Sequence, residues 1–280
     1  LVLAATSFAT RAESASDKVH PFVVSGVVLN SGNARLVEHF VSLLSRRSGY
    51  AMKVHYVGSY SQLSETLRDR SDAVGWTCGA PFVEDHRAYG QQLVGVPLFR
   101  GKPEYHSLVM TRRDRPERRL RDFKGKVLAY SDPRSNSGFL APALQLASEG
   151  TDIAQHFRLL VRAGTHERSI EALMGGLADV AAIDEYVWVE YVRANPVAGE
   201  VLREVERMGP FPFTPIVAGR EVAAVDVERL TQALEGLTAE PEGRDVMAQF
   251  GLDGFVREPV EFYQPIATML DSLAEQARAP

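Results

Sequence analysis

Apolar and polar positions along the chain follow two alternating rhythms. Residues 22–29, FVVSGVVL, form a nearly continuous apolar run of strand length. Leu36, Val37, Phe40, Val41 and Leu44 then recur at helical spacing, which predicts an amphipathic helix over 34–47, and Gly49 just beyond it is a stop signal. The polar turn Asn30-Ser31-Gly32-Asn33 separates the two and can cap that helix. The same alternation continues. Strands are predicted at 52–57, 73–77, 93–98, 106–111, 126–130, 157–162, 180–183, 200–207 and 214–218. Helices are predicted after Tyr60, over 137–148, 166–174 and 186–194, and through 226–270.

Strands alternating with helices imply α/β architecture with mostly parallel sheets covered on both faces. At 280 residues the chain suits two lobes. Residues 112–124 are charged and poor in apolar groups, which predicts a crossing into a second lobe there, and Pro210, Pro212 and Pro215 stiffen a return segment. The expected division is 17–110 plus 217–280 for the first lobe and 111–216 for the second. Two crossings make a hinge beside a central cleft, and a ligand would sit at the carboxyl ends of the strands.

Composition narrows the chemistry. The net charge is -5 and no basic tract is present, so no nucleic-acid partner is expected. The run at 112–121 is basic but broken by Asp114, Pro116 and Glu117, as in a solvated loop. One cysteine, Cys78, excludes an internal disulfide and a cysteine cluster for metal. Residues 1–16 read as the end of a signal-peptide apolar region, with Ser7-Phe8-Ala9 as a cleavage-like site, which points to the periplasm. No later run reaches the length needed to span a bilayer.

The sharpest local signal is YSDPRSNSGF, residues 130–139. A strand ends, Asp132-Pro133 turns, and Ser135, Asn136 and Ser137 precede Gly138 and a helix. Free N–H groups and the positive helix end, with two hydroxyls, suit an oxyanion; the same residues would also serve as ordinary helix caps. His166 follows Gly164-Thr165 at another helix start, and Asp184-Glu185 follow an apolar strand, where they could hold an ammonium group or cap the next helix. Tyr60 and Tyr105 could wall a cleft. No G-x-S-x-G, H-E-x-x-H, Walker or G-x-G-x-x-G pattern is present, so no enzyme activity and no cofactor are expected.

Taken together, Tyr60 in YSQLSETLRDRSDAVGW, GKPEYHS at 101–107, LRDFKG at 120–125, SDPRSNSGFL, Gly164-Thr165-His166 and ALMGGLADVAAID ending at Asp184 resemble one family. It is the phosphate/phosphite/phosphonate ABC transporter substrate-binding group, PhnD-like, with the type 2 periplasmic-binding fold. The resemblance runs from about residue 20 to 250. It implies that Ser135, Asn136 and Ser137 grip phosphonyl oxygens, that Tyr60, Tyr105 and His166 line the ligand, and that Asp184, beside Glu185, faces the ligand's other end. It also implies delivery to an ABC permease. Cys78, at a strand end in WTCGAPF, departs from this picture. Relatives of the group include oxyanion sensors, arsenite sensors among them, that act with a membrane histidine kinase, so a sensing role is the alternative reading. A thiamine-pyrimidine-synthase-like enzyme on the same fold is a more distant one.

Overall fold

The computed structural model describes residues 18–27 and 33–278. The predicted signal remnant, residues 28 and 29 of the first strand and most of the turn at 30–33 lie outside them. The first lobe opens with β1 (His20–Ser25), α1 (Ala34–Ser48), β2 (Met52–Val57), α2 (Tyr60–Asp69), β3 (Val74–Trp76), α3 (Gly79–Tyr89) and β4 (Gln92–Leu98). The second holds β5 (Glu104–Arg112), β6 (Val127–Tyr130), α4 (Ala141–Ser148), α5 (Ile153–His156), β7 (Leu159–Arg162), α6 (His166–Met174), β8 (Val180–Asp184), α7 (Glu185–Ala194), α8 (Pro196–Val201) and β9 (Leu202–Pro212). The chain then returns through β10 (Ile216–Ala218), α9 (Ala224–Glu235), α10 (Pro241–Phe250), β11 (Gly254–Val256) and α11 (Gln264–Gln276).

Two sheets result, in the orders β11-β4-β10-β3-β1-β2 and β7-β6-β8-β5-β9. The chain has the two-lobed type 2 periplasmic-binding fold. The expectation of mostly parallel pairing needs correction. β1 pairs in parallel with β2 and β3, and β6 with β7 and β8, but β10 runs antiparallel to β3 and β4, β11 to β4, and β5 to β8 and β9. Strands that arrive by crossing between lobes enter from the opposite end, and an alternating strand–helix pattern carries no record of that.

The lobes are joined at 99–103 and 213–215. The strand predicted at 106–111 therefore belongs to the second sheet, and the charged segment at 112–124 lies within that lobe instead of leading into it. The two linking segments touch. Phe99 stacks on Phe213 at 6.0 Å, and Tyr186 meets both rings edge-on at 5.6 and 5.5 Å. Tyr105 also meets Phe213, at 5.5 Å, so the hinge packs directly against a predicted ligand residue.

One apolar cluster runs from the first lobe through the links to Leu120, Phe123 and Leu128 of the second, and another lies within the second lobe alone. In the first lobe, Phe40 on the buried face of α1 lies 5.7–5.9 Å from Trp76, Phe250 and Phe255. Each such ring contributes roughly 1.5–3 kcal/mol by leaving water. α1 ends at Gly49, whose φ of 72° is the left-handed conformation that closes a helix without strain. In the second lobe, Leu108 and Met110 of β5 pack with Ile170 and Leu173 of α6 and with Ile183 of β8. Rigid cores of this kind move as units, which makes the two links the natural place for bending.

Candidate functional site

The helix starts converge between the lobes. Tyr60 is the first residue of α2, behind the cap Ser59. Cys78 precedes α3. Ser135 caps a wide π-helical turn, Asn136–Leu140, that leads into α4. His166 begins α6 behind Thr165, and Asp184 caps α7. The first N–H groups of a helix have no carbonyl behind them and carry partial positive charge. Several such ends aimed at one region make an anion site from backbone alone.

Side-chain contacts tie these ends together. Asn136 Nδ2 donates to the Tyr105 hydroxyl at 3.0 Å, and the Asn136 N–H faces Cys78 Sγ at 3.5 Å across the cleft. Cys78 packs with Tyr60 and Val27 in a small buried cluster. His166 Nε2 lies 3.3 Å from Ser131 Oγ and 3.4 Å from Ser135 Oγ. The Asp184 N–H donates to His166 Nδ1 at 3.2 Å, which leaves the proton of the neutral ring on Nε2. The His166 N–H reaches Val27 O in the first lobe at 3.4 Å. Ser107 Oγ donates to Ser137 O at 2.7 Å and so pins the loop to β5.

All of these predicted residues are buried, the least buried of them at 1 % exposure apart from Glu185 at 6 %. Three of their polar atoms have no hydrogen-bond partner among the described residues: the Tyr60 hydroxyl, Asn136 Oδ1 and Ser137 Oγ. Thr77 Oγ1, next to Cys78 in sequence, is a fourth buried atom of this kind. A buried polar group without a partner costs about 1–3 kcal/mol, so a cluster of them in one closed cleft marks a place built to meet a polar molecule.

Burial sets the charge state. It pushes the Tyr60 and Tyr105 hydroxyls well above their ordinary range, so both stay protonated donors. It raises the Cys78 thiol to about 11 and lowers the His166 imidazole to about 3. It also raises Asp184 to about 7, against two hydrogen bonds from the Val187 and Tyr186 N–H groups. The region is thus lined by neutral hydrogen-bonding groups, with one acid that changes charge near neutrality. No group of three or more metal-ligating side chains occurs among the described residues.

Not every predicted residue belongs to this cluster. The Glu185 carboxylate turns away to accept from His106 Nδ1 at 2.7 Å and Arg207 Nη1 at 2.9 Å. Burial opposes its charge, but these partners hold the carboxyl below its ordinary range. Asp184 takes the capping role, with Oδ1 2.9 Å from the Tyr186 N–H. Ser131 and Thr77 were not singled out from the sequence. Ser131 sits in the same strand-end run as Ser135, which was the available signal; nothing in the local sequence marks Thr77.

A family model described as "ABC transporter, phosphonate, periplasmic substrate-binding protein" matches residues 30–259. The chain belongs to this phosphonate-binding family. The phosphonates-binding periplasmic protein of Escherichia coli is 23 % identical over 217 residues, an alignment that covers 76 % of this chain and 64 % of that protein. Among solved structures, the binding component of an ABC phosphonate transporter from Pseudomonas aeruginosa superposes with a TM-score of 0.84 at 19 % identity, covering 92 % of this chain and 87 % of the other. PhnD1 of Prochlorococcus marinus, in complex with methylphosphonate, gives 0.82 at 16 % identity, covering 92 % and 99 %. The family is one of transport binding proteins, and nothing in these likenesses favours the kinase-linked sensor. Among the described residues, no helix of this phosphonate-family chain is long and apolar enough to cross a membrane.

Proposed function

We propose that the chain is a periplasmic solute-binding protein that closes on a small phosphorus oxyanion, of the phosphonate, phosphite or phosphate type, and hands it to an ABC permease. The observation that carries this reading is the cluster of buried, partnerless Tyr60, Asn136 and Ser137 atoms among converging helix starts. Ser135, Asn136 and Ser137 hold the oxygens from the second lobe, and Tyr60 and the Cys78 end of α3 close over them from the first. His166 donates through Nε2, and Tyr105 steadies Asn136. Asp184 lies at the ligand's other end, while Glu185 supports the wall through His106 and Arg207. We take the lobes to divide at the 99–103 and 213–215 links.

A melting-temperature panel of phosphate, phosphite, methylphosphonate, 2-aminoethylphosphonate and arsenite tests the reading. At a ligand concentration one hundred times Kd, the cognate oxyanion adds about 2.7 kcal/mol of stability, a rise of a few degrees. The Ser135→Ala, Ser137→Ala double variant loses that rise. Absence of a shift with every phosphorus oxyanion would sink the proposal, and a response to arsenite alone would transfer it to the sensor reading.

A further inference from the structure

Arg134 is the residue immediately before the Ser135–Ser137 loop, in the second lobe. Each hydrogen bond its guanidinium makes crosses to the first lobe. Nε donates to Glu84 Oε2 at 2.9 Å, Nη1 to Ser64 Oγ at 2.6 Å, and Nη2 to Asp85 Oδ1 at 3.1 Å and to Glu84 Oε2 at 2.5 Å. The receiving side is organised within its own lobe. Ser64 of α2 hydrogen-bonds to Asp85 Oδ2, and Gln91 Nε2 donates to the same oxygen at 3.2 Å. Asp85 is 3 % exposed with the lobes closed, and Ser64 and Gln91 hold its carboxylate in place from within its own lobe.

We infer that Arg134 is a positioning residue, a cross-lobe latch that clips the ligand loop to α3 and α2 when the lobes close. The inference rests on the reading of the chain as a binding protein that closes over its ligand. Geometry supports the coupling at both ends. α3 presents Cys78 to the ligand region at its start and Glu84 and Asp85 to the latch a turn or more later. Arg134 is likewise one residue from the Ser135 cap. Its own backbone N–H is fixed by Asp132 Oδ1 at 2.9 Å, and Asp132 in turn pairs with Arg162 at 2.9 Å, so the arginine projects from a braced turn. When the lobes separate, the guanidinium loses these partners and returns to water, whereas Ser64, Gln91 and Asp85 keep one another. The latch therefore acts on the closed form alone. A partly buried arginine that bonds two carboxylates and a hydroxyl across the lobes slows escape more than it speeds arrival.

The test is methylphosphonate binding by stopped-flow together with small-angle X-ray scattering, on the wild type, Arg134→Ala, Arg134→Lys and Glu84→Gln. Arg134→Ala should speed dissociation roughly 10- to 100-fold with association within about a factor of three. Arg134→Lys, which keeps the charge but loses the fork, should recover part of that loss. Glu84→Gln should give a smaller increase. The melting temperature of unliganded Arg134→Ala should stay close to wild type, because the contact lies between lobes and not within a core. Wild-type binding with unchanged dissociation in Arg134→Ala overturns the latch and leaves the functional reading standing. Scattering reads closure directly: with methylphosphonate present, Arg134→Ala should have the larger mean radius of gyration, and identical wild-type and variant profiles overturn the latch, whereas failure of the wild type to bind any phosphorus oxyanion overturns the functional reading and the latch with it.

Discussion

A methyl group on Gly138 would overlap the Ser131 hydroxyl and stand 2.9 Å from Ser135 Oγ and 3.0 Å from His166 Cε1. Gly138 is what lets two serines and a histidine crowd one helix start. Gly138→Ala should therefore cost roughly 1–3 kcal/mol in stability, as overpacking does, and reduce oxyanion affinity at least about tenfold, checked by melting and titration calorimetry. Asp184 makes a second prediction. Its folded-state value near 7 is above the ordinary one for an aspartate, so its contribution is fully present below about pH 4 and is lost as pH rises from there through 7. Asp184→Asn keeps the cap but has no charge to bury. It should match wild type near pH 4 and melt higher than wild type at pH 8, by a margin on the order of a few kcal/mol. Residue types were legible in the sequence where a strand end meets a cap: Ser135, Asn136, His166 and Tyr60 all sit at helix starts, as their neighbours suggested. Orientation was not. Asp184 and Glu185 are adjacent, and only the fold turns one into the cleft region and the other toward Arg207.

At the scale of elements, periodicity located what it physically encodes. The α1 face of Val37, Phe40, Val41 and Leu44 gave a helix within a residue of its observed ends, because a 3.6-residue stripe has no other way to be buried. β9 was less legible. The predicted strand at 200–207 begins inside α8 and falls short of an end at Pro212, since pairing along β5 overrides local proline signals. The π turn at Asn136–Leu140 could not be read at all: both Phe139 and Leu140 N–H groups return to Ser135 O, a choice made by the site and not by propensity.

For the whole molecule, the two lobes were legible as a repeated alternation, but the crossings were not, because a charged stretch signals exposure and exposure is shared by links and surface loops alike. The true links are aromatic. Phe213 touches Phe99, Tyr105 and Tyr186, so Phe213→Ala should remove roughly 3–5 kcal/mol and split a single calorimetric transition into two as the lobes lose their shared packing.

β10 carries a further consequence. This three-residue strand lies in the middle of the first sheet, between β3 and β4, yet it is made after the whole second lobe. Until residue 218 has been synthesised, β3 and β4 have no neighbour between them, and β11, which pairs with β4, comes later still. The lobe that begins first is finished last. Its closing contacts span more than a hundred residues, so assembly of that sheet is slow by topology, and the nascent protein passes through a stage in which one lobe is complete while the other still exposes unpaired strand edges.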